Sequence, residues 1–303
     1  MTAFVDQAID ELGATLNAAL VVIGDRLGLY TALSGAGPLT PRELAERTDT
    51  QERYVREWLN AQAAGGYVIH SDGRYALPDE HAAALDDLAG AFEQVVALVR
   101  DEPTPHDLFG ARSHAVRSFL PALAGLEATL EAGVRVADVG CGSGAATIAM
   151  ADAFPHSDFR GFDPNPTVIE QARADAAYRA RFDVATAQDF PGRDYALITT
   201  FDCLHDEIDP VAAAHHIRAA LAPDGRWLIV EPVAGDSVED NYTPVGRVYY
   251  ALSTLVCMQA PAAHALGAQA GEARLRDVVV AAGFTSFSRV AATPFNLVFE
   301  ARP

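Results

Sequence analysis

The sequence predicts an α/β fold, in which a mostly helical N-terminal domain precedes a domain built on a seven-stranded sheet covered by helices. From residue 134 onward, short apolar stretches alternate with helical stretches, and a glycine-rich turn joins the first of them to a helix. The first 80 residues instead follow a helical period and end in a short hairpin pattern. At 303 residues, half of them hydrophobic, the chain is long enough to bury a full core.

Residues 1–80 are predicted to form a winged-helix-like domain. Thr40 stands three residues before Glu43, which is the pattern of a capped helix start. Gly65-Gly66 closes the next helix, and Ser71-Asp-Gly-Arg74 is a hairpin turn. The predicted elements are helices at 3–22, 39–46 and 52–64 and strands at 67–70 and 74–77. Helix, helix and two-stranded wing is the order of a winged helix.

A winged helix suggests DNA binding, but the charge of this chain disfavours it. The net charge is −19, with 22 arginines and no lysine. In the candidate recognition helix, residues 51–60, Arg53 and Arg56 are balanced by Glu52 and Glu57. Groove binding needs a basic face that neutralises phosphates. We therefore expect no nucleic-acid partner, and a cofactor-sensing transcriptional regulator stays the alternative from another class.

Residues 81–130 are predicted to be a mostly helical linker that contributes to a substrate pocket. The helical pattern breaks at Glu102-Pro-Thr-Pro105. Polar and aromatic side chains beyond this break could face a bound substrate. The candidates in this segment are His106, Phe109 and His114.

The third part, residues 131–303, begins with a strand, a glycine turn and a helix. A valine-rich strand over 134–139 is followed by a good helix former over 145–154. The turn between them contains Gly140, Gly142 and Gly144. Such a turn lets backbone amides approach a ligand closely. Because Asp138 at the strand end would repel a pyrophosphate, the pattern favours a ligand with ammonium or sulfonium charge, which indicates S-adenosylmethionine.

The following strands are predicted to end in polar residues beside this turn. Asp163 closes a strand over 158–163, 19 residues after Gly144, where an acid can accept hydrogen bonds from both ribose hydroxyls. A strand over 182–187 leads into Gln188-Asp-Phe190, which could hold an adenine edge and face. Further strands at 195–200, 227–231, 285–291 and 295–300, and helices at 166–179, 210–221 and 272–282, complete a Rossmann-like domain. The predicted cofactor-binding residues are Asp138, Gly140, Gly142, Ser143, Gly144, Asp163, Pro164, Gln188, Asp189, Phe190, Phe201 and Asp202.

The motif order of residues 131–303 resembles that of class I S-adenosylmethionine-dependent methyltransferases. It is similar in particular to the small-molecule O-methyltransferases that carry an N-terminal winged-helix domain. The matching segments are Leu204-His-Asp206 with Asp209, Ala220-Leu-Ala-Pro-Asp-Gly-Arg226 and Val230-Glu-Pro232. The resemblance implies S-adenosylmethionine as cofactor, a small acceptor of the kind found in natural product biosynthesis, and a homodimer formed through the N-terminal domain.

His205 is the predicted general base. It follows the fourth strand of this domain, beside the cofactor crevice, and histidine titrates near neutral pH. The resemblance implies the same role, because the histidine of the Leu-His-Asp motif is the base in the O-methyltransferases. Glu231, at the end of the fifth strand, is the predicted partner that orients the ring and stabilises the imidazolium. Asp206 is expected to contact substrate or to cap the helix that starts near Asp209.

One departure leaves the acceptor atom open. Glu207 stands where many members of the resembled family carry tryptophan. O-methylation is favoured, but C-, N- or S-methylation, with or without an assisting metal, would use the same scaffold. No metal ligand set is predicted. A cyclase that uses the sulfonium only as an electrostatic catalyst is a third possibility.

Residues 232–271 are predicted to form a lid, because insertions beyond strand ends lie over the ligand crevice. The segment carries polar and aromatic residues that could meet a substrate. These candidates are Asn241, Tyr242, Arg247 and Tyr250.

The remaining features predict a cytoplasmic protein. Three widely spaced cysteines form neither a disulfide framework nor a zinc pattern, which fits a reducing compartment. The first residues lack the basic start and apolar core of a signal peptide. No apolar run approaches the length of a membrane span, and the acidic surface disfavours anionic membranes.

Overall fold

The structure, a computed structural model, describes residues 3–82, 84, 85, 88, 115–241, 243–255 and 265–303. The chain divides into two compact units, Met1–Thr104 and Pro105–Pro303. The predicted fold class is confirmed, since a winged-helix unit precedes a seven-stranded sheet with helices. The predicted linker at 81–130 stays a prediction, because much of it lies outside the described residues.

The first unit is a small helical domain with a two-stranded wing. Its elements are α1 (Ala3–Arg26), α2 (Leu29–Leu33), α3 (Pro41–Thr48), α4 (Glu52–Ala64), β1 (Ile69–Ser71) and β2 (Arg74–Ala76). The predicted cap of α3 is present, because Thr40 Oγ1 accepts from the Glu43 amide and the Glu43 carboxylate accepts from the Thr40 amide. A bridge between Leu39 and Tyr75 attaches the wing to the start of α3. Leu44, Trp58 and Leu59 are buried in this unit's core.

The second unit is organised around one sheet. Its strands are β3 (Arg135–Val139), β4 (Asp158–Asp163), β5 (Arg181–Val184), β6 (Tyr195–Phe201), β7 (Leu221–Pro232), β8 (Ser286–Ala292) and β9 (Asn296–Arg302). Their order is β5-β4-β3-β6-β7-β9-β8, with β9 antiparallel to both neighbours and the pairs from β5 to β7 parallel. Two of the predicted strand limits differ from the structure by three residues or more. β5 ends at Val184 rather than residue 187, and β7 begins at Leu221 rather than residue 227.

Helices cover the sheet and connect its strands. They are α5 (Leu126–Glu131), α6 (Ala145–Ala153), α7 (Pro166–Ala176), α8 (Pro210–Ala220), α9 (Pro244–Leu255) and α10 (Gly271–Ala281). Large buried side chains fill both faces of the sheet, with Trp227 and Phe299 in one cluster and Phe119 and Phe159 in another. Trp227 has its indole satisfied as well, since its Nε1–H donates to Thr200 Oγ1 at 3.1 Å.

The strand order places a ligand crevice at the middle of the sheet. The chain runs outward from β3 to β4 and β5 in one direction and continues through β6 and β7 in the other. The loops that follow β3 and β6 therefore leave the sheet on opposite sides, which opens a crevice at their carboxyl ends. In the described ranges, no helix has both the length and the apolar character needed to cross a bilayer.

Candidate active site

A pocket of about 720 Å³ opens at the carboxyl ends of β3 to β6. Its volume is in the range of small-molecule and cofactor sites. Five carboxylates line it, and the described lining contains neither arginine nor histidine. These acids are Asp163, Asp202, Asp206, Glu207 and Asp209. A cavity of this charge attracts a ligand that carries positive charge and repels phosphates.

The glycine turn lies against this pocket and needs its glycines. Gly140, Gly142 and Gly144 all have positive φ, at 73°, 54° and 81°. A Cβ on Gly140 would lie 2.3 Å from Cys203 Sγ, and a Cβ on Gly144 would lie 2.6 Å from the Phe182 ring. Both the backbone conformation and the space therefore require glycine at these two positions. Gly144 is also the N-cap of α6, whose first amides point towards the turn.

Asp163 ties the end of β4 to the glycine turn. Its Oδ2 accepts from the Gly142 amide at 3.0 Å, and its Oδ1 accepts from the Asn165 amide at 2.9 Å. It also lines the pocket together with Pro164 and Asn165. Asn165 in turn caps α7 by accepting from the Thr167 amide at 2.9 Å. Backbone amides thus hold Asp163, the residue predicted to accept from the ribose hydroxyls, at the pocket wall.

Three of the predicted cofactor residues lie inside the core instead of at the pocket wall. Asp138 is 1% exposed, and its carboxylate accepts from Thr147 Oγ1 at 2.6 Å and Thr199 Oγ1 at 2.9 Å. In this position it braces β3 against α6 and β6. Phe190 and Phe201 are also buried, each stacked or tilted against other aromatic rings of the core.

The end of β5 presents Gln188 to the pocket but not Asp189. Asp189 Oδ1 accepts from the Thr186 amide and from Thr186 Oγ1, both at 2.7 Å. These hydrogen bonds lower the pKa of Asp189 and close a turn of its own loop. Gln188 lines the pocket, as do Thr186 and Ala187. The remaining predicted residue of the glycine turn, Ser143, is half-buried and is not part of the described lining.

His205 and Glu231 meet as predicted, although 26 residues separate them. His205 Nδ1 lies 2.6 Å from Glu231 Oε2, and the two residues are 4% and 1% exposed. Glu231 Oε1 accepts from the Leu204 amide at 2.9 Å and from the Cys203 amide at 3.3 Å. The carboxylate therefore fixes both the short helical turn Leu204–Asp206 and the ring that it carries. Leu266 and Gly267 donate their amides to the His205 carbonyl and hold the same turn from the other side.

The hydrogen bond to Glu231 sets the chemistry of the imidazole. Nδ1–H donates a hydrogen bond to the buried Glu231 carboxylate, so Nε2 is the basic nitrogen of the neutral ring. Asp206 Oδ1 lies 3.4 Å from Nε2 and has no hydrogen-bond partner among the described residues. Asp206 also lines the pocket. The basic nitrogen and a carboxylate oxygen therefore stand side by side near the cofactor crevice.

Glu207 is the site residue whose role sequence reasoning missed. It lines the pocket and accepts from Gln188 Nε2 at 2.9 Å and from the Cys203 thiol at 3.7 Å. Burial raises the pKa of Glu207, and the charges of Asp206 and Asp163 raise it further, while its two hydrogen bonds lower it. The pKa of Cys203 is raised well above its usual value by burial and by nearby carboxylates, so this cysteine is held as a thiol. The sequence did offer one signal for this role, because Glu207 stands where many members of the resembled family carry tryptophan.

The structure describes only some of the predicted substrate-contacting residues. Asn241 is buried and bonds to Gly235 and Ser237, which stabilises its own loop. Tyr250 lies on α9 and is 37% exposed. The other predicted substrate contacts fall outside the described residues or, for one, outside the described side chains. These are His106, Phe109, His114 and Tyr242, and the side chain of Arg247.

Two further residues near the carboxylates were not predicted. Tyr249, next to Tyr250, is buried and donates to the Phe295 carbonyl at 2.6 Å. Burial raises its pKa, and the charges of Asp202 and Glu231 raise it further. Asn296 is buried and donates to Asp202 Oδ1 at 3.3 Å. This contact supports Asp202, which has a positive φ of 47° that is uncommon for a residue with a side chain.

Comparison with known protein families agrees with this geometry. A family profile described as "Methyltransferase domain" matches residues 108–278, and one described as "Rv2258c-like winged HTH domain" matches residues 15–86. A search of curated proteins found no match.

Solved structures share the fold over nearly their whole length. A protein described as an O-methyltransferase from Nostoc punctiforme has 20% identity, full coverage of both chains and a TM-score of 0.69. Human N-acetylserotonin methyltransferase in complex with S-adenosylmethionine has 16% identity and a TM-score of 0.66, covering 100% of this chain and 98% of its own. CalO1, a methyltransferase of calicheamicin biosynthesis in its S-adenosylhomocysteine-bound form, has 21% identity and a TM-score of 0.62, covering 100% and 99%. At these identities the similarity is one of fold.

Proposed function

Because this chain belongs to the methyltransferase-domain family, we propose that it transfers the methyl group of S-adenosylmethionine to a hydroxyl of a small molecule, with His205 as the general base. The observation that carries the proposal is the buried His205–Glu231 pair beside Asp206, a residue that lines the acidic pocket. An oriented base is what a hydroxyl acceptor needs at neutral pH, since its proton must leave as the new bond forms.

The pocket fits the proposed cofactor in shape and charge. Gly140 lines the pocket without a side chain and permits close approach of the ligand, and Asp163 in the same lining is the proposed partner of the ribose hydroxyls. The acidic lining complements the positive charge of a sulfonium and of an amino group. When bound, S-adenosylmethionine supplies an electrophilic methyl group on a positively charged sulfur. The chain's own residues must then align the acceptor and take its proton.

His205 and Glu231 supply the proton transfer in this proposal. His205 Nε2 takes the proton of the acceptor hydroxyl, and the imidazolium that results is stabilised by Glu231 across the 2.6 Å hydrogen bond. Asp206 Oδ1, 3.4 Å from Nε2, is placed to accept a hydrogen bond from the substrate. Glu231 is a positioning residue, because it acts through His205.

C-, N- or S-methylation and a non-methylating reaction are separated by the product. With a methyl-labelled cofactor, C-, N- and S-methylation place the label on a different atom of the product than O-methylation does. A non-methylating reaction gives a product without label. A panel of phenols, alcohols, amines and thiols, followed by mass spectrometry, identifies that atom. The proposal expects a labelled ether and would be contradicted by a labelled amine, thioether or carbon, or by turnover without label.

The paired charges on α4 disfavour DNA binding by the winged-helix unit. On α4, Arg56 pairs with Glu52 of the same helix, which removes a free cation from the face that would meet phosphates. We propose that this unit joins two copies into a homodimer, and that the acceptor is a natural product precursor. Light scattering measures the mass of the particle in solution and is expected to give that of two chains. A gel shift with duplex DNA at physiological salt tests the regulator alternative.

The base role is tested by a histidine substitution with a matched control. His205→Ala is expected to retain cofactor binding and to lower turnover by about 100-fold or more. His215→Ala removes an exposed histidine of α8 and is expected to leave turnover unchanged. Undiminished turnover in His205→Ala would exclude His205 as the base.

A further inference from the structure

Glu207 and Gln188 form a polar pair that the proton transfer does not use. Gln188 Nε2 donates to Glu207 Oε2 at 2.9 Å and approaches the Asp209 carbonyl at 3.5 Å. Both side chains line the pocket from two different strand ends, those of β5 and β6. The Cys203 thiol holds the other carboxylate oxygen of Glu207 at 3.7 Å. The carboxylate is therefore fixed in orientation before any ligand arrives.

The walls beside this pair suit a flat ring. Pro164, Ala187, Ile208 and Ala212 line the same pocket and offer small or apolar surfaces. Asp163, the acid predicted to meet the ribose hydroxyls, lines the same pocket as Glu207 and Gln188. A nucleoside with its sugar at Asp163 therefore has its base within reach of the Glu207–Gln188 pair.

The residues that sequence predicts for the base edge are engaged elsewhere. The Asp189 carboxylate closes a turn with Thr186, and Phe190 is buried in the core. A purine in this pocket would still present its polar edge to the protein, because burying that edge without partners costs free energy. Gln188 and Glu207 line the pocket from the ends of β5 and β6 and are polar side chains that can satisfy it.

We propose that Glu207, held by Gln188, selects the 6-amino group of adenine and rejects a 6-oxo purine. An ionised carboxylate only accepts hydrogen bonds, so it pairs with the 6-amino group and opposes a 6-carbonyl oxygen. One N–H of the Gln188 amide donates to Glu207 and the other approaches the Asp209 carbonyl, which leaves little donor capacity for a 6-carbonyl oxygen. The inference rests on the proposed function, since it assigns a specificity role within the same cofactor pocket.

The test compares S-adenosylhomocysteine with S-inosylhomocysteine, in which a 6-carbonyl replaces the 6-amino group and the adjacent N1 carries a proton. Calorimetric titrations are made at mildly alkaline pH, because burial raises the pKa of Glu207 and a higher pH favours its ionised form. The wild-type protein is expected to bind the adenosyl compound at least about ten-fold more tightly, because a mismatched buried polar group is strongly disfavoured. Glu207→Gln supplies an amide that can donate to the 6-carbonyl, so the preference is expected to disappear or reverse.

Two further variants separate a selective role from a structural one. Glu127→Gln makes the same chemical change at an exposed position on α5 and is expected to keep the wild-type ratio. Glu207→Ala removes the carboxylate without placing an amide, and is expected to abolish the preference without reversing it. A merely structural role of Glu207 would weaken both ligands equally and leave their ratio unchanged.

The outcomes distinguish this inference from the proposed function. Equal binding of both compounds by the wild-type protein, or an unchanged ratio in Glu207→Gln and Glu207→Ala, would overturn the inference alone. If the preference for the adenosyl compound reversed in Asp189→Asn instead, Asp189 would be the selecting residue. That result would also overturn the inference about Glu207. If the wild-type protein bound neither compound, the proposed function would fail together with the inference.

Discussion

Replacing Glu231 by glutamine tests how the site makes a base of His205. The change is nearly isosteric, and the remaining carbonyl oxygen can still accept from the amides of Cys203 and Leu204. The new amide nitrogen then faces His205 Nδ1 as a donor. The ring is expected to respond by changing tautomer, so that Nδ1 accepts and Nε2 carries the proton. In that state Nε2 cannot take a proton from the acceptor.

The size of the effect follows from the burial of the pair. A general base contributes about 100- to 10,000-fold to turnover, or roughly 3–5 kcal/mol of barrier. Because His205 is only 4% exposed, water cannot easily replace the lost acceptor at Nδ1. We therefore expect turnover to fall by about this factor. Glu231→Ala would also leave two backbone amides and a ring N–H unsatisfied, at about 1–3 kcal/mol each, which makes glutamine the cleaner change.

Two assays check this prediction. Nitrogen-15 NMR of the imidazole reports the tautomer without any acceptor, and His205→Gln identifies the His205 signals among the nine histidines. Wild-type protein is expected to show the proton on Nδ1, and Glu231→Gln the proton on Nε2. Turnover is then measured with an acceptor found by the screen, and cofactor affinity by calorimetry.

A ring that keeps its proton on Nδ1 in Glu231→Gln would contradict this prediction. Turnover within about two-fold of wild type would contradict it as well, because the loss of a general base has a far larger effect. Loss of cofactor binding in step with turnover would assign Glu231 a structural role instead.

Three further predictions follow from the same contacts. Asp163→Ala is expected to abolish measurable calorimetric binding of S-adenosylmethionine. It removes the carboxylate predicted to accept from the ribose hydroxyls and the hydrogen bond from the Gly142 amide. Unchanged affinity would contradict the placement of the ribose. Gly144→Ala places a Cβ 2.6 Å from the Phe182 ring at a φ of 81°. It is expected to lower the free energy of unfolding, measured by chemical denaturation, by roughly 1–3 kcal/mol. An unchanged denaturation midpoint would show that the turn can move. Because the folded-state pKa of Glu207 is raised, folding favours its protonated form, and stability is lost as pH rises through the range between its unfolded and folded pKa. Glu207→Gln is therefore expected to melt at a higher temperature than wild type at neutral pH, with the difference shrinking as pH falls below the usual glutamate range, and a lower melting temperature throughout would contradict this.

Much of the fold could be predicted because its signals are local. Apolar stretches, the glycine turn and the capping pattern at Thr40 each depend on a few neighbouring residues. The His205–Glu231 contact was also predictable, although it is distant in sequence. Parallel neighbouring strands bring their carboxyl ends together, so a histidine after β6 and an acid ending β7 must lie close.

The side-chain directions at the strand ends could not be predicted from the same patterns. Whether Asp138 faces the pocket or the core depends on the pleat and on the threonines that reach it from α6 and β6. The pairing of Glu207 with Gln188 joins residues from two loops whose relative height is set by the packed sheet. Tyr249 is buried and its neighbour Tyr250 is partly exposed, because adjacent residues of a helix point in different directions.

The central claim is that the acidic pocket at the ends of β3 to β6 holds a sulfonium nucleoside beside an oriented histidine. Calorimetric titration of the wild-type protein with S-adenosylmethionine tests it most directly, with the Asp163→Ala variant as the comparison. We expect saturable binding of one ligand per chain in the wild type and none in the variant. Absence of binding heat and of thermal stabilisation in the wild type, or equal binding in both proteins, would contradict it.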